Sequence, residues 1–190
     1  MSAVAGKLVQ LSGLTGADQR ASAVGGLTEI FFESTARTEF SGDDERRRFL
    51  ARWTSAYLEH YCDDVWFWRD LDGTISGYLT GCRDSANAAR YFTDHSNYQL
   101  FADYFAEFPA HLHVNCRAER RNVGIGARLV EAFVAGCRRD GLAGVHVVTT
   151  SDARNVRFYD RVGFTVRAMR VVADRQLVLL GRDLKAGSGL

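Results

Sequence analysis

The apolar positions of this chain change period several times, and each change marks an element. Leu8-Val9-Gln10-Leu11 is a short strand candidate. Leu27, Ile30, Phe31 and Ser34 fall at helical spacing and predict a helix from about Ala21 to Arg37. Ser41-Gly42-Asp43-Asp44 reads as a helix start, because acids in a first turn complement the helix dipole. The helix that follows runs to about Tyr61 with the stripe Phe49, Leu50, Trp53, Tyr57 and Leu58. Val65-Trp66-Phe67-Trp68 is then a short apolar run, Asp72-Gly73 a hairpin turn, and Ile75 to Thr80 the returning strand.

Residues 82 to 108 carry the weakest pattern. Within them Tyr98, Leu100, Phe101, Tyr104 and Phe105 suggest a short amphipathic helix after a polar loop. Ala110 to Cys116 is the next strand. From about Gly124 to Arg139 the period is helical, through Leu129, Val130, Phe133, Val134 and Cys137, and Gly141 stops it. Val145 to Thr149 is a β-branched strand. Asp152 to Arg161 reads as a second helix with Gly163 as its stop, and Phe164–Val172 with Gln176–Leu180 as a final hairpin. Strand–helix–strand units in a mixed sheet put the chain in the α/β (α+β) class.

Composition narrows the picture. The chain has 190 residues, 46% of them apolar, enough for one packed domain over residues 1–185, with 186–190 expected to be a disordered tail. A net charge of +1 gives no bulk case for nucleic acid or a membrane surface. Arg46-Arg47-Arg48 and Arg138-Arg139 read as solvated helix faces. Cys62, Cys82, Cys116 and Cys137 show neither C-x-x-C nor zinc-site spacing, so reduced thiols and no metal are expected. No apolar run spans a bilayer and no leader pattern opens the chain. These features together predict a soluble cytoplasmic protein.

The stretch that points to chemistry is Arg121-Asn122-Val123-Gly124-Ile125-Gly126, between a predicted strand and a predicted amphipathic helix. A helix N-terminus offers unpaired N–H groups and a partial positive charge, and glycines let a backbone approach a ligand closely. Such a turn suits a pyrophosphate. A Rossmann turn would need a third glycine where Leu129 stands, and a P-loop would need Gly-Lys-Ser/Thr, which is absent.

Residues 155 to 164 read Asn-Val-Arg-Phe-Tyr-Asp-Arg-Val-Gly-Phe. The pair R-x-x-G-x-G opening a helix and a later F-Y-x-x-x-G-F resembles the GNAT acetyltransferase family, over roughly Val65 to Phe164. Phe108-Pro109-Ala110-His111-Leu112-His113-Val114 and Gly77-Tyr78-Leu79-Thr80-Gly81 further resemble the acetyltransferase-like domain of O-GlcNAcase and its bacterial stand-alone relatives. The resemblance implies a GNAT-type mixed, splayed central sheet flanked by helices, with acetyl-CoA in the splay. The pantetheine arm would pair with Val114, Asn115 and Cys116. The pyrophosphate would meet backbone N–H groups of Arg121, Asn122, Val123, Gly124, Ile125 and Gly126. Asp152 would lie near the adenosine end and Asn155 beside the cofactor arm. Both depart from the family, which commonly has Asn at the first position and a small residue at the second.

The same resemblance names Tyr159. An amine attacking a thioester expels a thiolate, and a nearby phenol can protonate the departing sulfur. On one continuous helix Asp152, Asn155 and Tyr159 would share a face. Arg128 and Arg157 read as helix-surface arginines. The base is open: relatives often carry a carboxylate near position 115, and Asn115 cannot accept a proton. His111 and His113 alternate onto the Asn115 face of the strand. His111 reads as structural and His113 stays open, as do Asp84, Asp94 and Asp103. The functional expectation is an acetyl-CoA-dependent N-acetyltransferase acting on an unidentified amine. The alternative is an acetyl-CoA-binding or regulatory pseudo-acetyltransferase module, which Asn115 and Asn155 keep open. A nucleotide-binding α/β protein of another type is weaker. A homodimer through the final hairpin and the N-terminal helices is a further expectation.

Overall fold

The computed structural model describes residues 5–92 and 98–185, which form both strands and helices. The strands are β1 (Gly6–Gln10), β2 (Val65–Asp70), β3 (Ile75–Cys82), β4 (Ala110–Cys116), β5 (Gly144–Thr150), β6 (Thr165–Val172) and β7 (Arg175–Asp183). The α-helices are α1 (Ala17–Ser34), α2 (Asp43–His60), α3 (Ser85–Ala88), α4 (Ile125–Arg139) and α5 (Val156–Arg161). The strands hydrogen-bond in the order β1-β2-β3-β4-β5-β7-β6. β4 pairs with β5 in parallel, and β1–β2, β2–β3, β5–β7 and β6–β7 are antiparallel, so the sheet is mixed. None of the described helices is long and apolar enough to cross a membrane. Packing divides the chain into two units, each built from two stretches.

The first unit holds Met1–Gly81 and His113–Phe133. Its interior is Leu27 and Ile30 of α1, Tyr57 of α2, Phe67 and Trp68 of β2, Leu79 of β3, and Leu129, Val130 and Phe133 of α4. β3 is buried along its whole length. Two glycines let α4 lie directly on it. A Cβ at Gly77 would meet Ile125 Cγ2 at 2.8 Å and Leu129 Cδ1 at 3.1 Å, and one at Gly81 would meet the Phe133 ring at 2.5 Å. The close approach fixes where α4 begins. The helix predicted over Ala21–Arg37 runs instead over Ala17–Ser34. It stops because Thr35 turns extended while its N–H bonds the Phe31 carbonyl. Leu11, expected in the first strand, is fully buried in a 3-10 turn just after β1.

The second unit holds Cys82–Leu112 and Val134–Leu190. The amphipathic helix expected near residues 98–105 is a pair of 3-10 turns over Tyr98–Tyr104, broken at Phe101 (φ −117°, ψ 25°). Distant contacts cause the break. Phe101 and Phe108 insert fully into a cluster with Ala168, Leu177 and Leu179. Arg170 of β6 donates to the Leu100 carbonyl at 2.7 Å and to Asp103 at 2.6 Å, occupying an acceptor that a helix would otherwise use. The predicted final hairpin is present as β6 and β7, longer at both ends of β7 than its apolar core suggested. The tail beyond Lys185 and Asp94 lie outside the described residues.

Two buried histidines lie in this unit, and His146 makes its stability depend on pH. His111 Nδ1 lies 2.8 Å from Ser85 Oγ, and the His146 Nδ1 lies 2.7 Å from the Phe108 carbonyl. Their ring centroids are 5.7 Å apart, and Phe105 stacks on His146 at 5.3 Å. Burial pushes the His146 pKa down from 6.5 to about 4, against its hydrogen bonds to the Phe108 and Ala110 backbone. The folded protein therefore keeps His146 neutral while the unfolded chain takes up a proton as pH falls. Stability is undiminished by this group above about pH 6.5, falls between 6.5 and about 4, and levels off below. The full loss is on the order of 3 kcal/mol. Urea unfolding at pH 7, 5.5 and 4.5 is expected to show this slope in the wild type and a flatter one in His146→Gln. Equal slopes would assign the loss to other groups.

Candidate active site

The end of β4 and the turn after it are held by arginines. Arg117 donates through its backbone N–H to the Ser76 carbonyl (3.1 Å) and through Nε to the Ile75 carbonyl (2.8 Å). Its guanidinium also pairs with Glu29 and Glu33 of α1. Arg120 pairs with Asp70 at 2.8 Å. Burial opposes ionisation of Asp70, but donors from Ser76, Arg120 and Trp68 outweigh it and hold the carboxylate below its usual pKa. The 3-10 turn Ala118–Arg120 is thereby tied to the β2–β3 hairpin.

The predicted phosphate turn follows. Asn122 (φ 63°) and Gly124 (φ 93°) both take left-handed backbone, which Gly adopts freely and Asn tolerates. Arg121 folds back, and its Nε donates to the Cys116 carbonyl at 3.2 Å. Its side chain thus closes the turn. Asn122, Val123 and Gly124 are exposed, while Ile125 is buried against β3 and anchors the helix start. The first helical bond runs from the Arg128 N–H to the Gly124 carbonyl at 3.1 Å. The N–H groups from Gly124 to Ala127 therefore have no carbonyl one turn back to bond. Gly126 shares its donor with the Cys116 sulfur. Burial still pushes that thiol up to about 11, against the Arg121 charge and the Gly126 N–H, so Cys116 is a neutral thiol.

Val114, Asn115 and Cys116 are half-buried. The Asn115 Nδ2 donates to Tyr78 Oη at 2.9 Å. Burial drives the Tyr78 phenol up to about 12, although the Asn115 hydrogen bond pulls the other way. His113, on the same strand face, is set edge-to-face with Trp53 and Tyr57 of α2 at 6.3 Å and 6.0 Å between centroids.

In the second unit the structure corrects the expected helix over 152–161. α5 begins at Val156 with Asn155 as its cap residue, and Asp152 lies in a preceding turn. The Tyr159 N–H bonds the Asn155 carbonyl, whereas the Val156 N–H goes to Ala153 and the Ala153 N–H to Thr150. Those tight local bonds leave Asp152 off the helix, so Asp152, Asn155 and Tyr159 do not form one helical face and Asp152 does not cap. The Asn155 Oδ1 accepts from Thr149 Oγ1 at 3.1 Å instead of capping. Tyr159 is buried at 4% exposure, edge-on to Phe158 and Phe164.

Residues 28–164 match the family model described as the acetyltransferase (GNAT) family. The chain belongs to the GNAT acetyltransferase family. Solved structures resemble this GNAT chain along nearly its full length. SsHAT is 20% identical, with 96% of this chain and 100% of that one covered and a TM-score of 0.70. YncA from Salmonella typhimurium, solved with its cofactor acetyl-CoA, is 17% identical, with 97% of each chain covered and a TM-score of 0.56. A phosphinothricin acetyltransferase from Sinorhizobium meliloti, solved with acetyl-CoA, is 16% identical, with 96% and 90% covered and a TM-score of 0.59. No curated protein sequence matches. The fold class expected from the sequence, a mixed α/β sheet of GNAT type flanked by helices, is the one observed.

The open base candidates of this GNAT chain separate on their partners. Asp84 accepts from the Asn87 N–H at 3.1 Å at the start of α3, and Asp103 is paired with Arg170. His111 is a buried, hydrogen-bonded residue. Arg157 is exposed, and the Arg128 guanidinium sits 5.2 Å over the Trp68 ring. Among the described residues no cluster of His, Cys, Asp or Glu is arranged for a metal ion. Sequence reasoning missed Arg117, Arg120 and Asp70. Two signals were available: three arginines just before the glycine turn, and the acids Glu29 and Glu33 one helical turn apart on α1.

Proposed function

We propose that this GNAT protein transfers the acetyl group of acetyl-CoA directly to an acceptor amine. The observation that carries the reading is the turn Arg121–Gly126, where left-handed Asn122 and Gly124 open α4 with its first N–H groups unbonded within the helix. Two of the similar structures contain acetyl-CoA, which supports the same co-substrate here. In this reading the turn holds the pyrophosphate, Val114-Asn115-Cys116 lies along the pantetheine arm, Asp152 and Asn155 line the cofactor, and Tyr159 protonates the leaving thiolate. The four cysteines are thiols and not disulfides, which suits a cytoplasmic setting. Val166, Met169 and Val171 expose apolar surface on β6, which suits a homodimer through the final hairpin. A second reading, an acetyl-CoA-binding module without efficient transfer, draws on Asn115, whose amide is engaged with Tyr78 and is no base.

Titration calorimetry with acetyl-CoA, CoA and NAD, followed by thiol release with an amine library, tests both. The expected result is binding of the first two ligands and amine-dependent release of CoA. Binding with no release from any amine would select the module reading. No binding of either coenzyme would overturn both.

A further inference from the structure

We propose that the end of α1, the loop after it and the first turn of α2 form a binding site for a carboxylate that carries an aryl or similar apolar body. The site stands apart from the acetyl-transfer reading and does not rest on it. Four phenylalanines make its base. Phe31 and Phe32 of α1, Phe40 of the loop and Phe49 of α2 close a ring of contacts, with neighbouring centroids 5.2 to 5.7 Å apart. Phe31 is buried and fixes the others from behind. Phe32 and Phe40 are half-buried and line a cavity of about 380 Å³, a volume in the range of small-molecule sites. Arg37, Asp43 and Arg46 bring charge to the same cavity.

The two arginines differ in their partners. The Arg37 guanidinium lies 4.8 Å over Phe40, pairs with Glu45, and donates through Nε to the Glu39 carbonyl at 3.2 Å. Hydrogen bonds from Ser41, and then from Arg37, hold the Glu45 carboxyl down from 4.5 to about 2, so Glu45 stays ionised and offsets the Arg37 charge. Asp44 is engaged with Arg47. Arg46 lays its guanidinium 3.8 Å over the Phe32 ring. Stacking covers one face of that plane and leaves its in-plane N–H donors, and among the described residues no carboxylate pairs with them. A fork of donors held flat beside half-buried rings matches a carboxylate bonded through both oxygens, with its apolar body covering the rings. An amine of the same shape would meet two guanidinium groups. Asp43, one helical turn before Arg46 and on the same cavity, sets the charge of the anion. A doubly charged phosphate is repelled by it about twice as strongly as a carboxylate.

The test titrates the protein with 3-phenylpropionate, its neutral analogue 3-phenylpropan-1-ol, acetate and phenylphosphonate, read by ligand-observed magnetic resonance at low salt and pH 7.5, where the phosphonate carries close to two charges. The wild type is expected to bind 3-phenylpropionate in the millimolar range or tighter, and the other three about 10-fold or more weakly. Arg46→Gln is expected to lose about 10-fold or more of the 3-phenylpropionate affinity while its melting curve stays close to that of the wild type. Asp43→Asn keeps Arg46 and should bind 3-phenylpropionate at least as well, with the largest gain for phenylphosphonate. Coenzyme A at saturation should leave the 3-phenylpropionate affinity unchanged. A wild type that binds the alcohol as well as the acid, or binds neither, overturns the site whether or not the variants fold. So does a folded Arg46→Gln protein with wild-type affinity. Displacement of 3-phenylpropionate by coenzyme A would move the carboxylate to the cofactor site and overturn the placement. Weaker binding of the acid by a folded Asp43→Asn protein would overturn the role of Asp43.

Discussion

Gly126→Asp is expected to weaken acetyl-CoA binding by about 100-fold or more while the protein stays folded. Gly126 is the second residue of α4, in a first turn whose N–H groups have no helical carbonyl to bond. An acidic side chain at that position complements the helix dipole, so the helix itself is not weakened. The same carboxylate stands where the pyrophosphate is proposed to sit. Juxtaposed like charges cost several kcal/mol, and each 1.4 kcal/mol is about tenfold in affinity. Gly126→Ala separates size from charge: it adds only the Cβ and is expected to lose far less. Calorimetry with acetyl-CoA, beside circular dichroism and a melting curve for each variant, reads the result. A folded Gly126→Asp protein that binds within about threefold of wild type would remove the pyrophosphate from this turn.

The sequence made this turn legible because everything that defines it is local. A strand ending at Cys116, left-handed positions at Asn122 and Gly124, and an apolar period starting at Ile125 lie within a few residues of one another. What stayed hidden depends on distant partners. Gly77 and Gly81 entered the sequence reading only as part of a stretch that resembles a family subgroup. Their reason is Ile125, Leu129 and Phe133 of a helix far along the chain. Tyr98 to Phe105 has helical spacing, yet the Arg170 guanidinium and the Phe101 pocket draw it into 3-10 turns. Asp152 misled in a different way. Asp is a strong cap residue, and the pattern after it is helical, so the helix seemed to start there. Two tight turns between Thr150 and Val156 delay the start to Val156 and give the cap position to Asn155. The base stayed open for a chemical reason: residue identity shows that Asn115 is not one, and nothing local in the sequence separates the remaining candidates.

Tyr159→Phe is expected to lower kcat by roughly 10²–10⁴-fold, with acetyl-CoA affinity little changed. Tyr159 is 4% exposed, and its ring is packed edge-on against Phe158 and Phe164 at 5.2 Å and 5.6 Å. Phenylalanine reproduces those ring contacts, so α5 and its cap at Asn155 are retained. What is lost is the phenolic proton. If that proton goes to the departing sulfur, the loss falls on the transition state and not on ground-state binding, which is why kcat falls and the affinity does not. The pH dependence sharpens the expectation. A thiolate leaves unassisted more readily as the pH approaches the thiol pKa, ~8.5 for an ordinary thiol. The deficit of the variant is therefore expected to shrink between pH 7 and pH 9. A hydroxyl that only supports the fold gives a deficit that is flat with pH and a lower melting temperature. The measurement is steady-state thiol release with whichever amine the library yields, at several pH values for both proteins. Wild-type turnover by Tyr159→Phe at pH 7 would assign the proton to water or to a residue of the 82–108 segment, and Tyr159 would then be a packing residue of α5.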